Sequence, residues 1–136
     1  MKGNTLEELE HEIWDEPSFD SNLAKTCHQL RKKPLDQFTT EDLRIMIGQK
    51  IGLKHLMPIA INILETEPLA EGDYYPGDLL SNVVENYDWL LIHPDWMRRI
   101  RTVSQQAQDL LIDKYSEPFN KLAHFLTRSI DDHQQS

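Results

Sequence analysis

The residue types that most often carry out catalysis are present in the sequence, but they do not form a known catalytic pattern. No histidine is followed four residues later by a second one, the spacing that places two metal ligands on one helical face. His11 and Glu12 match the start of a zinc-protease motif, but Asp15 occupies the position of the second histidine ligand. The glycine spacing fits neither a phosphate-binding loop nor a dinucleotide-binding pattern. We therefore expect no catalytic residues, no metal site and no cofactor, and we interpret the chain as a binding protein.

The sequence leaves enzyme activity open as an alternative, to be judged from the one cysteine and the neighbouring acids. Cys27 falls on a predicted apolar helical stripe, which is typical of an inert core residue rather than a nucleophile. Neighbouring acids such as Glu65 and Glu67 could in principle act as acid and base, but nothing in the sequence marks them as buried. An enzyme with an unfamiliar carboxylate site is therefore an alternative, which several acids meeting in one pocket would favour.

The distribution of charge points to a basic protein partner. The formal net charge is −9, and residues 55–97 contain eight acids without a single lysine or arginine. Such a block argues against nucleic-acid binding, which needs cations beside the phosphates. It suits a basic protein, because complementary potentials steer encounter and reject wrong partners. A solvated surface that only aids solubility is the alternative interpretation.

Apolar spacing predicts one helical domain, because apolar residues recur at intervals of three and four in nearly every segment. We predict an all-α, irregular bundle of about six or seven helices over residues 1–136, with a frayed tail at residues 131–136. The fourth helix, from Gly52 to about Thr66, is apolar on most sides and should be central. The N-terminus turns acidic at once, and no apolar run reaches the roughly 18 residues of a membrane span, so we expect a cytoplasmic protein.

A fifth helix, predicted from the end of an acidic loop to about Ile92, carries an aromatic residue on its polar side. At about 100° per residue, Trp89 falls in the middle of the face opposite the apolar one. Tryptophan among carboxylates resembles an interface anchor, whereas burial beneath another helix is an equally weighted alternative. The polar residues of this face are Asp78, Ser81, Asn82, Glu85 and Asp88.

The loop at residues 66–77 carries two neighbouring tyrosines among acids, glycines and prolines. Either ring could contact a partner or pack over the bundle with its hydroxyl in water. We expect Tyr75, which precedes Pro76, to pack, and Tyr74 to be exposed.

Two segments resemble signatures of the immunity proteins of bacterial contact-dependent growth inhibition (CDI) systems. The first is LRIMIGQKIGL at residues 43–53, followed by MPIA at residues 57–60. The second is GDYYPGDLL at residues 72–80. Flanking segments agree in order and spacing, so the resemblance covers about residues 6–92.

The resemblance implies that the chain binds the C-terminal toxin domain of a surface-delivered effector in the cytosol of the producing cell. Such toxins are often nucleases, and a tRNA-cleaving RNase is our preferred type. A nuclease needs a cationic groove for phosphates, which an acidic protein face can occupy. We therefore predict a monomer in a one-to-one complex that contacts neither nucleic acid nor membrane. The predicted toxin-binding residues are Glu71, Asp73, Tyr74, Asp78, Glu85, Asp88 and Trp89.

A helical adaptor or regulator of an unrelated protein is the second function class. The position of the gene separates the two, since an immunity gene should directly follow a large secreted effector gene.

Overall fold

The structure is a computed structural model that describes residues 4–15, 21–115 and 120–135, and within these ranges the regular secondary structure is helical. An isolated β-bridge joins Glu71 and Pro76, and the described ranges contain no strand. The predicted all-α bundle is therefore confirmed. The α-helices are α1 (Leu6–Glu10), α2 (Asn22–Leu30), α3 (Thr40–Gly48), α4 (Leu53–Thr66), α5 (Asp78–Glu85), α6 (Tyr87–Leu91), α7 (Pro94–Tyr115) and α8 (Asn120–Gln135), with a short 3₁₀-helix at Leu35–Gln37.

Local capping determines where several helices begin. Thr5 accepts a hydrogen bond from the Glu8 amide and the Glu8 side chain accepts one from the Thr5 amide, which together form a capping box at the start of α1. Thr39 and Asp42 form the same reciprocal pair at α3, and Ser21 caps α2. At the other end of the chain, α8 ends at Gln135. Ser136 lies outside the described residues.

Helix α4 lies at the centre of the core, as its apolar sequence predicted. It packs against α3, α5 and α7. Pro58 lies inside this helix, which continues through it. None of the helices in the described part of the chain is both long and apolar enough to cross a bilayer. The buried side chains of α4 are Leu56, Met57, Ala60, Ile61 and Leu64.

The predicted fifth helix is two helices, which corrects the sequence analysis and accounts for the eighth helix. Asn86 interrupts the helical backbone between α5 and α6, with φ −86° and ψ +50°. Its side-chain amide donates to the carbonyl of Ile47 at 3.1 Å and to that of Asn82 at 2.9 Å. These bonds to α3 and α5 favour the break over a continuous helix. The helical projection that placed Trp89 on the polar face of α5 consequently does not hold.

The polar stripe of α5 turns toward the protein from Asp78 to Asn82 instead of facing solvent, which is a second correction, while Glu85 stays exposed. Asp78 and Ser81 are buried, although the sequence placed both on the outer face. Asn82 donates to the Arg44 carbonyl at 2.9 Å. A Cβ at Gly48 would lie 2.8 Å from the Asn82 amide nitrogen, so the glycine allows the two helices to approach closely. This part of the stripe is therefore an internal contact between α5 and α3.

Candidate protein-binding surface

Residues 67–77, which we name the tyrosine loop, fold around the first residue of α5. The Asp78 side chain is only 2% exposed. Its Oδ1 accepts a hydrogen bond from the Gly72 amide at 2.7 Å, and its Oδ2 accepts one from the Tyr74 amide at 3.0 Å. The Tyr75 amide donates to the same Oδ2 at 3.4 Å. Asp78, a predicted contact residue, is therefore buried and holds the loop from within.

An ion pair on α3 supports the loop from the other side. Arg44 donates from Nε and Nη2 to the two carboxylate oxygens of Glu41, at 2.6 and 2.5 Å. The Asp73 amide donates to Glu41 Oε1 at 2.9 Å, and Arg44 Nε lies 3.9 Å from Asp78 Oδ2. The hydrogen bonds from Arg44 lower the pKa of Glu41, and partial burial opposes this effect. The pair therefore stays ionised and joins α3 to the loop backbone.

Tyr74 projects from this support into solvent. Its side chain is 69% exposed, and the Arg44 guanidinium carbon lies 4.3 Å from its ring centroid. Tyr75 is 38% exposed, so it is the less exposed of the two tyrosines, in the predicted direction. Tyr74 thus offers one face and the edge of its ring to another molecule.

The exposed acidic residues among the predicted contacts differ in whether they form an ion pair. Glu71, Asp73 and Asp88 are exposed, and the described part of the chain gives none of them an ion pair. Glu85 pairs with Lys121 of α8. Two of the predicted contact residues, Glu71 and Asp73, are therefore uncompensated carboxylates on the tyrosine loop.

A groove of about 330 Å³, which we name the loop groove, adjoins Tyr74 between α2, α3 and α5. It brings Tyr74 and Glu85 into one concave surface, although eleven positions separate them in the sequence. Leu23 lines the groove and is 46% exposed. The remaining lining residues are Arg44, Ile45, Gly48, Gln49 and Asn82.

Trp89 lies apart from the loop, on α6 beyond the break. It is half-buried and packs against the hydrophobic core. Its ring stacks on that of His93, with 3.8 Å between centroids and 17° between planes. The contacts of Trp89 are therefore those of a packed residue, and no described contact brings Trp89 or Asp88 to the tyrosine loop.

Sequence reasoning missed Glu41 and Arg44, which support the surface, and Leu23, Ile45 and Gln49, which line it. The spacing of Glu41 and Arg44 predicts an ion pair within a helix, but not that the pair touches a loop some thirty residues later.

The titratable groups of the described part do not assemble a metal site. No three histidine, cysteine, aspartate or glutamate side chains come together there in a metal-binding group. Burial raises the pKa of the Cys27 thiol, which agrees with the interpretation of this residue as an unreactive core cysteine. What the tyrosine loop and the loop groove offer is aromatic, apolar and carboxylate contact surface.

The family described as CDI immunity proteins matches residues 8–99, which include α2 to α6 and the whole tyrosine loop. No curated protein and no solved structure gives a significant match.

Proposed function

Because the chain belongs to the CDI immunity proteins, we propose that it neutralises its cognate toxin by docking the tyrosine loop and the loop groove against a basic surface of the toxin domain. The observation that carries this placement is the exposed Tyr74, which follows the uncompensated Glu71 and Asp73 on a loop that is hydrogen-bonded from within. Tyrosine is enriched where interface energy concentrates, and a surrounding rim of charge steers association.

The proposed contact set is narrower than the sequence suggested. Glu71, Asp73, Tyr74 and Glu85 remain as direct contacts, because they lie on the loop or the groove and their side chains reach solvent. Asp78 acts through the loop it holds. Asp88 and Trp89, on α6, lie outside the proposed surface.

The chemistry of this surface supports a nuclease as the toxin. The net charge of −9 and the uncompensated loop carboxylates would attract a groove built to hold phosphates. Occupation of that groove would exclude the nucleic-acid substrate, and a tRNA-cleaving RNase is our preferred case. The complex we propose is one-to-one, forms in the cytoplasm and requires no catalysis by the immunity protein.

The test is a titration of the purified chain with the toxin domain encoded immediately upstream, accompanied by a growth-rescue assay. Tyr74→Ala should raise the dissociation rate about tenfold or more, as expected for an aromatic anchor. Asp73→Lys should mainly slow association and reduce its dependence on salt. Asp113→Lys on α7 is the matched control, because it makes the same exposed charge reversal on a residue outside the loop groove.

The possible results distinguish a failure of the toxin-neutralising role from a failure of the proposed binding site. Failure of the unmodified chain to bind or to rescue growth would refute the toxin-neutralising role. Tight binding that neither Tyr74→Ala nor Asp73→Lys weakens would refute the placement on the tyrosine loop. An Asp113→Lys effect equal to that of Asp73→Lys would show that overall charge, and not this surface, determines binding.

A further inference from the structure

Four consecutive backbone N–H groups in the tyrosine loop donate to just two carboxylates. The amides of Gly72, Tyr74 and Tyr75 donate to Asp78, at 2.7, 3.0 and 3.4 Å. The amide of Asp73 donates to Glu41 at 2.9 Å. The segment that carries the exposed ring is therefore fixed at every amide position from 72 to 75.

Arg44 allows these two carboxylates to lie near each other. Its guanidinium binds Glu41 in a bidentate pair and approaches Asp78 to 3.9 Å. The same guanidinium lies 4.3 Å from the Tyr74 ring centroid. One cation thus offsets the repulsion between the carboxylates and supports the ring that projects to solvent.

Gly72 shows how closely the carboxylates enclose the loop. A Cβ added there would lie 2.5 Å from Glu41 Oε1 and 3.2 Å from Asp78 Oδ2. Any side chain at this position would displace at least one of the two acceptors. A glycine at position 72 is therefore needed for both carboxylates to lie this close to the loop backbone.

We propose that Glu41, Arg44 and Asp78 are positioning residues that hold the tyrosine loop in its binding conformation before the partner arrives. This inference rests on the proposed function, in which the loop is the docking surface. A loop that is already ordered loses less conformational entropy on binding, so affinity rises without any new contact across the interface. Asp78 reaches the partner only through the loop, because its own side chain is buried.

The test combines hydrogen exchange of the free protein with toxin binding. Asp78→Asn should speed exchange at the amides of Gly72, Tyr74 and Tyr75, because asparagine keeps a single acceptor oxygen and turns its NH2 group toward at least one of these donors. Glu41→Gln should speed exchange at Asp73 and, since Glu41 is only half-buried, should fold normally even if Asp78→Asn does not. Amides of the central helix should exchange as slowly as in the unmodified protein.

The chain offers a matched control of the same chemistry elsewhere. Arg99 of α7 binds both carboxylate oxygens of Glu65 and lies 4.4 Å from the Trp96 ring centroid. Glu65→Gln therefore breaks a similar arginine–glutamate–aromatic group that does not touch the tyrosine loop. It should leave toxin affinity unchanged, whereas Glu41→Gln should weaken it about tenfold.

A double-mutant cycle separates positioning from general destabilisation. If Glu41 acts through the loop, Glu41→Gln should weaken binding less in a Tyr74→Ala background than in the unmodified chain. Faster loop exchange with unchanged affinity, or additive effects of the two substitutions, would overturn the positioning role while leaving toxin neutralisation intact. If the unmodified chain did not bind the toxin, the proposed function and the positioning role would both fail.

Discussion

Replacing Asn86 by alanine tests whether the hydrogen bonds of this residue fix the break between α5 and α6 against α3. The Asn86 side chain is buried, at 3% exposure. Its Nδ2 donates to the carbonyls of Ile47 and Asn82, and its Oδ1 accepts a hydrogen bond from Lys50 Nζ at 3.0 Å. Asn86→Ala removes all three bonds and leaves a cavity the size of an amide group.

The expected loss of stability follows from these contacts. The two bonds from Nδ2 contribute about 1–3 kcal/mol together, and the bond from the exposed Lys50 adds less than about 1 kcal/mol. We therefore expect Asn86→Ala to lower the free energy of unfolding by about 1–4 kcal/mol. Asn86→Asp should cost more, because a carboxylate would face the two carbonyl oxygens.

Urea unfolding followed by far-ultraviolet circular dichroism measures this change. Asn82→Ala provides a graded comparison, because its half-buried side chain donates a single bond to the Arg44 carbonyl, contributing about 1 kcal/mol. A loss below about 0.5 kcal/mol for Asn86→Ala, or one no larger than that of Asn82→Ala, would contradict this expectation. It would mean that the helix break does not depend on the bonds to α3.

Two further predictions concern the tyrosine loop and its support. Gly77 has φ +92°, so Gly77→Ala should destabilise the fold by about 1 kcal/mol in thermal unfolding, and an unchanged melting temperature would contradict this. The folded-state pKa of Glu41 is lowered, so its contribution to stability is complete above the ordinary carboxyl pKa of about 4.3 and is lost as the pH falls through the folded-state value. Glu41→Gln should therefore be less stable than the unmodified chain at neutral pH and should converge with it in acid, whereas a difference that is constant with pH would contradict the assignment.

The sequence predicted those parts of the fold that depend on local interactions. Thr5 and Thr39 begin helices because their hydroxyls reach amides three residues away, and that spacing is visible in the sequence. The central position of α4 follows from its nearly continuous apolar surface. The break at Asn86 could not be predicted, because one of its acceptors, the carbonyl of Ile47, lies 39 residues away in the chain. A hydrogen bond between segments that are distant in the sequence thus favours a break where apolar spacing predicted one continuous helix.

The candidate site was only partly predictable for a related reason. An acid in the first turn of a helix is favourable whether it faces solvent or the protein, so the position of Asp78 did not reveal its burial. A count of charges along the chain likewise did not show which acids the fold pairs with distant cations. Residues 55–97 contain no lysine or arginine, yet Arg99 and Lys121 from later helices pair with Glu65 and Glu85. The acidic block is therefore partly neutralised by the fold.

The fold also bears on the two interpretations of the acidic block, a binding surface or a solvated surface. Of its eight acids, half are engaged by basic side chains or by the loop backbone, and half have no ion pair in the described part of the chain. Acids that served solubility alone would have no reason to cluster. Three of the four unengaged acids nevertheless lie on the tyrosine loop, where an exposed aromatic ring and a groove adjoin them. Charge concentrated beside an aromatic anchor favours the binding surface. The engaged acids are Glu65, Asp78, Glu85 and Asp95, and the unengaged ones are Glu67, Glu71, Asp73 and Asp88.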